Sequence, residues 1–294
     1  MFGFKKKEKP KKTLVSDSFL QVLRRDEISV SKRKARENGD PLRSKFGGKP
    51  AVPAEFVWPR FESENFDGES ANRPLSFLCQ INLEEIKACD AENLLPDKGM
   101  ILFFYEQESQ RWGFDAKDKG CSRVYYFADI QELSETELPD DLIAEYRVKE
   151  YDLVFSKKDS YPSYEELFCY TGTECDWDSY DEALEGKGYA LDSERHKLLG
   201  YANLIQNEML TECERTARGL YCGDSDSYQN TPQSVQEDID KAATDWILLF
   251  QMASIQEDDY ELMLGDMGNL YFYIRKQDLK ECNFDKAWLI LQCG

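Results

Sequence analysis

The sequence contains a single histidine, His196, among its 294 residues. A metal site built on two histidines is therefore excluded, and a catalytic triad could use only this histidine as its base. The nine cysteines include no pair at C-x-x-C spacing. An odd number of cysteines scattered over such a chain favours reduced thiols over a disulfide framework. We therefore expect no bound metal and no cofactor.

Long apolar runs are also missing. The longest, such as Trp246 to Phe250, fall far short of the roughly 18 residues that a membrane-spanning helix needs. Six lysines lie within residues 5–12, but no apolar segment follows them, so this is not a secretion signal. The sequence thus predicts a cytoplasmic protein without a transmembrane segment.

The common catalytic motifs are absent as well. We find no G-x-x-x-x-G-K-[ST], no G-x-G-x-x-G and no G-x-S-x-G pattern. The acidic run at residues 176–182 lacks the glycine that a calcium loop needs for its sharp turn. A second acidic run, at residues 257–266, could supply paired carboxylates as acid and base in glycoside chemistry, but a solvated hairpin loop explains it more simply. The sequence therefore offers no catalytic residue and no metal ligand.

Charge is abundant, and it is strongly negative and unevenly distributed. The net charge is −20, but residues 1–50 carry 15 basic and 6 acidic residues, so that residues 51–294 carry −29. Such an acidic body repels DNA and anionic lipid and attracts a basic protein partner. The alternative is that the charge serves solubility alone. The basic terminus either touches RNA or membrane, or is a solvated, frayed end.

Two distant parts of the chain repeat one pattern. An apolar run at 75–81 and another at 246–252 each contain a glutamine near the end, and a glycine opens a second apolar run at 99–105 and at 268–274. Third runs follow at 123–127 and 286–292. Short gaps between the runs favour antiparallel neighbours. The pattern predicts an internally duplicated α+β fold, with two mainly antiparallel sheets and flanking helices.

The same pattern suggests where the chain divides. We expect a basic N-terminal arm and helix at 1–43, a first repeat half at 44–155, an acidic insertion or linker at 156–195 and a second repeat half at 196–294. The two halves could form one compact domain. Within the arm, residues 1–12 read as a disordered lead, residues 14–27 as a helix, and the charged stretch up to residue 45 as a helix or linker.

Several segments together resemble the YwqG-like family, a bacterial domain family of unknown function. They are Ser44–Pro50, Trp58-Pro59, Leu75–Leu83, Leu95–Tyr105, His196–Tyr201 with Gln206, Trp246–Gln251, and Gly265–Ile274 with Asp278-Leu279. The resemblance covers residues 44–294 and implies a compact α/β-type protein with an internal duplication. It supplies no catalytic residues. Because some genes of the family lie near secreted-toxin loci, it also implies that the protein neutralises a toxin by binding it.

Gln80 and Gln251 are the candidate binding residues with the clearest physical reason. A buried amide at the end of an apolar run needs partners for its donors and acceptors. Each glutamine either ties its strand to a loop of its own half, or both line a cleft between the halves. The full set of candidates for such a cleft is Gly47, Gly48, Trp58, Gln80, His196, Gln206, Gln251 and Asp266.

Three functions remain open at this point. The first, which we favour, is a non-enzymatic protein-interaction module, in its specific form an immunity-type neutraliser of a basic toxin. The second is a small-molecule-binding protein or unrecognised enzyme with a cleft between the halves. The third is a regulatory module whose basic arm docks on RNA or membrane. The sequence does not indicate the oligomeric state.

Overall fold

A computed structural model describes residues 15–173, 175–189 and 195–294. The predicted disordered lead at residues 1–12 lies outside this part of the chain. The strands are β1 Arg25–Lys34, β2 Lys45–Phe46, β3 Ala51–Val52, β4 Arg60–Glu64, β5 Ser70–Pro74, β6 Ser76–Asn82, β7 Met100–Tyr105, β8 Ser122–Phe127, β9 Ser134–Glu135, β10 Tyr151–Ser160, β11 His196–Leu199, β12 Trp246–Ala253, β13 Ile255–Glu257, β14 Tyr260–Leu262, β15 Asn269–Arg275 and β16 Trp288–Gln292.

The α-helices are short. They are α1 Asp17–Leu23, α2 Leu83–Ile86, α3 Tyr164–Thr171, α4 Trp177–Glu185, α5 Leu210–Ala217, α6 Ser225–Gln229, α7 Gln233–Ala243 and α8 Lys276–Lys280. Three single turns of 3₁₀ helix lie at Ala116–Asp118, Ala144–Tyr146 and Phe284–Lys286. Within the described ranges, no helix is long and apolar enough to cross a bilayer.

Ten strands form one antiparallel sheet in the order β16-β15-β12-β11-β1-β10-β2-β6-β7-β8. The sheet curls into a nearly closed barrel with β8 and β16 as its edges. Only 24% of the described residues are helical. Two-stranded pairs β3-β9, β4-β5 and β13-β14 complete the β structure.

The prediction of an α+β fold with two mainly antiparallel sheets and flanking helices is therefore wrong. The strands predicted at 75–81, 99–105 and 123–127, and those at 246–252, 268–274 and 286–292, do form. They belong to one sheet, however, because β1 and β10 pair over ten residues and join the two groups. Strands from the earlier and the later part of the chain thus belong to one barrel.

The error has a local cause in β1, whose sequence Arg-Asp-Glu-Ile-Ser-Val-Ser-Lys-Arg-Lys was interpreted as a charged helix or linker. Ile28 and Val30 alternate with polar residues and enter the core, as expected for a strand with one buried face. On the other face, Glu27 pairs with Lys197 of β11 and Arg33 with Asp152 of β10, so the excess of charge did not exclude a central strand. In the described part of the predicted helix at 14–27, which begins at residue 15, only Asp17–Leu23 is helical.

Side chains from both ends of the sheet fill the interior of the barrel. Phe103 of β7 lies 4.6 Å from Phe250 of β12 and 5.1 Å from Phe272 of β15, measured between ring centroids. Strands β6 and β12 are buried on both faces, which is why they read as unbroken apolar runs. The described residues therefore fill the interior of the barrel as a packed core.

The two ends of the sheet repeat several details. Lys45 lies opposite Gln80 and Lys197 lies opposite Gln251. The pairing register shifts between Phe77 and Cys79 in one half and at the matching point, residues 248–250, in the other. A common origin of the halves stays a prediction, as does the division of the chain at residues 43, 155 and 195.

Candidate functional site

Gln80 and Gln251 serve the same structural purpose in their two halves. Gln80 Oε1 accepts from the Ala51 N–H at 2.9 Å, and its Nε2 donates to the Pro41 and Arg43 carbonyls at 2.8 Å. Gln251 Oε1 accepts from the Asn203 N–H at 3.0 Å, and its Nε2 donates to the Arg195 carbonyl at 3.0 Å. Each amide thus ties its strand to an adjacent loop.

Gly47 and Gly48 form a tight turn directly after β2. Their φ angles are +52° and +69°, in the left-handed region that favours glycine. A Cβ atom at Gly47 would lie 2.1 Å from the Val148 carbonyl oxygen. Trp58 lies on the outer face, where its Nε1 donates to the Leu75 carbonyl at 2.8 Å. Close backbone packing thus explains the two glycines, and a structural hydrogen bond explains the position of Trp58.

His196 faces the interior of the barrel. Its ring contacts that of Phe46 edge-on at 4.9 Å, and its Nδ1 accepts from the Ala253 N–H at 3.1 Å. Burial, followed by the nearby Lys32 cation, lowers the pKa of His196 to about 4. The imidazole is therefore neutral near pH 7 and takes part in packing.

Gln206 and Asp266 both contact residues 293–294. Gln206 Nε2 donates to the Cys293 carbonyl at 2.9 Å, and the Asp266 backbone carbonyl accepts from the Gly294 N–H at 3.0 Å. Of the eight predicted residues, the structure brings His196 near the Gly47 turn, whereas Trp58, Gln206 and Asp266 lie elsewhere. That any of the eight binds a ligand stays a prediction.

A groove lies instead at α3 and α4, in the segment predicted as an acidic insertion. Its volume is about 250 Å³, and its lining comprises Ser163, Tyr164, Glu165, Trp177, Tyr180, Asp181, Asn203 and Leu204. Helices α3 and α4 contain six acidic residues and no basic residue. A groove of this charge attracts cations.

Helix α4 is held firmly against the body of the protein. The Tyr180 hydroxyl donates to the Pro162 carbonyl at 2.8 Å, and its ring packs with Leu20 and Leu23 of α1 and with Leu184. At the start of the helix, the Ser179 hydroxyl donates to the Asp176 carboxylate at 2.9 Å. These contacts place the exposed ring of Trp177 and the Asp181 carboxylate at the groove.

Asn203 is the most informative residue of this groove. It is 2% exposed, and neither its side-chain oxygen nor its side-chain nitrogen has a hydrogen-bond partner in the described part of the chain. Its backbone is fixed, because its N–H donates to Gln251 and its carbonyl accepts from the Tyr271 hydroxyl at 2.6 Å. A buried amide without partners is costly, and a bound ligand would satisfy it.

Two further carboxylates near this region are buried and differ from those of the groove. No hydrogen bond reaches either carboxylate oxygen of Glu166 or one oxygen of Glu212 within the described residues. Burial, followed by the charge of Glu208, raises the pKa of each to about 8. Both are thus largely protonated near pH 7, and the negative charge at the groove comes from exposed residues such as Glu165 and Asp181.

The chemistry of the groove suits a cationic side chain. A cation can lie over the face of Trp177 while carboxylates neutralise its charge. The Asn203 amide oxygen can accept an N–H from the same group, since arginine and lysine carry several donors. Nothing in this arrangement supplies a nucleophile paired with a base.

Residues 44–293 match the family described as a domain of unknown function (DUF1963). The chain belongs to this family. The matched range includes β2 to β16 and the whole groove, and it begins after β1. No curated protein matches the chain.

Sequence reasoning missed Asn203 and Trp177 as candidates. The segment around Trp177 was weighed only as a calcium loop, although an aromatic residue between carboxylates is also a signal for cation binding. Asn203 gave no signal, because whether an amide has partners depends on the packing of distant segments.

Proposed function

We propose that this protein is a non-enzymatic interaction module that binds a basic protein partner at the acidic groove. The observation that carries the proposal is the Asn203 side chain, which is buried and without a partner at the base of a groove between carboxylates. A lysine or arginine side chain of the partner would fill the groove and donate to the Asn203 amide oxygen, and a carbonyl of the partner backbone would accept from its amide nitrogen.

The surface around the groove supports protein binding. Phe168 on α3 and Trp177 on α4 are 60% and 55% exposed, respectively, beside exposed acidic residues. Exposed aromatic residues are frequent binding hot spots in protein interfaces. The net charge of −20 would speed encounter with a basic protein and select against acidic ones.

A cytoplasmic location and a toxin-neutralising role are finer parts of this proposal. The second follows from the resemblance to the YwqG-like family, and the narrower family name is itself part of the proposal. A basic toxin is one partner whose charge fits the groove.

The test uses a defined probe, a hexa-arginine peptide, in isothermal titration calorimetry with the full chain. We expect saturable binding that weakens as sodium chloride rises, because salt screens exposed charges. Trp177→Ala and Asp181→Asn should each weaken binding by about tenfold, which corresponds to one cation contact at a partly desolvated site.

The matched control is Glu55→Gln, which removes one exposed negative charge outside the groove. It should leave the affinity unchanged. If Glu55→Gln weakens binding as much as Asp181→Asn does, the peptide recognises diffuse charge and the groove is not the site. Asn203→Leu offers a second check, since it should reduce affinity while the protein stays folded.

A further inference from the structure

A second cleft lies on the outer surface where the barrel fails to close. It has a volume of about 460 Å³, and its lining includes residues of both edge strands, Ser122 to Val124 of β8 and Trp288 and Leu289 of β16. Volumes of this size are typical of sites for small molecules. Neither the acidic groove nor any of the eight predicted residues contributes to its lining.

We call this cleft, which lies between the edge strands β8 and β16, the seam cleft. Its β8 side carries positive charge that no carboxylate neutralises. Among the described residues, Arg123 and Lys119 have no carboxylate partner within 4.0 Å. The Arg123 guanidinium lies over Gly120, where an added Cβ atom would be 3.2 Å from a terminal nitrogen. Arg123 Nη1 donates to the Ser122 carbonyl at 3.2 Å, which does not neutralise its charge, so both cations stay available to an anion.

Most of the other charges at the cleft are already engaged. Arg275 donates to Glu214 at 2.6 Å and lies 4.4 Å from the centre of the Trp246 ring. The Asp118 carboxylate accepts from the Gly113 N–H at 3.0 Å, and burial raises its pKa. Asp285 lies 3.8 Å from Lys286. Asp278 also lines the cleft and opposes the binding of an anion.

An apolar surface lies beside these cations. The Trp288 Nε1 donates to the Gly113 carbonyl at 2.9 Å, which fixes the half-buried indole in the cleft wall. Val124 and Leu289 are buried side chains of the same lining. A ligand could therefore place an apolar ring against Trp288 while its charged end reaches Arg123 and Lys119.

We propose that the seam cleft binds a small organic anion, with its carboxylate or phosphate group at Arg123 and Lys119 and its apolar body against Trp288. This site is independent of the acidic groove in position and in the sign of its charge. The protein would then combine a cation-binding groove with an anion-binding cleft on one barrel.

The experiment titrates the full chain with three probes of similar size, namely phenyl phosphate, benzoate and benzyl alcohol, in low-salt buffer. We expect saturable binding of phenyl phosphate or benzoate and none of benzyl alcohol, and the stronger anion identifies the preferred group. Arg123→Gln should weaken binding by about tenfold, because it removes a charge-assisted hydrogen bond. Lys119→Gln should weaken it by a smaller factor.

Asp278→Asn provides a test with the opposite sign, since removal of this carboxylate should tighten anion binding by about threefold. Arg60→Gln is the matched control: Arg60 pairs with Asp141 away from the cleft, and its loss should not change the affinity. Because Arg123 is exposed, its variant should keep the wild-type melting temperature. The proposal is overturned if neither anion binds saturably, or if folded Arg123→Gln binds as well as wild type.

Discussion

Lys197 and Glu27 form an ion pair inside the protein, with Nζ of the lysine 2.8 Å from Oε2 of the glutamate and both side chains fully buried. The pair joins β11 to β1, the strand that connects the two groups of barrel strands. Burial lowers the pKa of Lys197, and the carboxylate of Glu27 opposes that shift. The charged form of Lys197 therefore depends on the Glu27 carboxylate.

We expect Lys197→Met to lower the free energy of unfolding by about 3–5 kcal/mol, because it leaves Glu27 buried without its main partner. The double variant Glu27→Leu with Lys197→Met should regain most of this loss, since two apolar side chains need no partner. Urea denaturation of the two single variants and the double variant measures the difference.

The exposed pair of Lys49 and Glu137 is the control, since its side chains are 47% and 81% exposed. Lys49→Met should lower the free energy of unfolding far less than Lys197→Met does, because solvent screens an exposed ion pair. Equal losses from Lys49→Met and Lys197→Met would contradict the role assigned to burial.

The strands β6, β7, β12 and β15 could be predicted from sequence because burial on both faces leaves unbroken apolar runs. The strands β1 and β2 could not. In β1 the residues of one face are charged or polar, and β2 has only two residues, so neither shows a recognisable pattern. Without β1, which pairs with both β10 and β11, the remaining strands fall into two groups, and two sheets were predicted where one exists.

The candidate site, too, could be predicted from the sequence only in part. The glutamines were identified correctly as buried amides with partners, because that requirement follows from residue type alone. Which amide lacks a partner is a property of packing, so Asn203 could not be distinguished from any other asparagine. The seam cleft depends on which strands become edges, and that follows only from the complete strand order.

His196 should titrate with a pKa of about 4, well below the value of about 6.5 for an exposed histidine. Its folded pKa is depressed, so the unfolded chain binds the proton more tightly. The contribution of neutral His196 to the free energy of unfolding is therefore complete above about pH 6.5, and it is lost as the pH falls towards 4. Since the chain has one histidine, its proton NMR signal is unambiguous, and a midpoint above pH 6 would refute burial of the ring.

Glu166 should make the protein less stable as the solution becomes more alkaline. Its pKa is raised from 4.5 to about 8, so the folded state holds a proton that the unfolded state releases. The free energy of unfolding therefore falls as pH rises from about 5 to 8. Glu166→Gln should stabilise the protein at pH 8 by about 1–3 kcal/mol, because the amide carries no buried charge.

Thermal unfolding of wild type and Glu166→Gln between pH 5 and pH 9 checks this expectation. Glu212 has the same raised pKa, so the variant should retain part of the pH dependence. Glu165→Gln changes the exposed neighbour and should shift stability by less than about 0.5 kcal/mol. A Glu166→Gln variant that is destabilised at pH 8 would show that the carboxylate is ionised and has a partner.

Gln80 and Gln251 allow the two halves to be compared energetically. Gln80→Leu leaves the Ala51 N–H without its acceptor, and Gln251→Leu does the same to the Asn203 N–H. Each substitution should lower the free energy of unfolding by about 2–4 kcal/mol, because buried backbone groups lose their partners. Equal losses are expected if the matched glutamines do the same work in both halves. Urea denaturation of both variants measures these losses. A loss in only one variant would show that the two halves match in geometry but that their glutamines contribute unequally to stability.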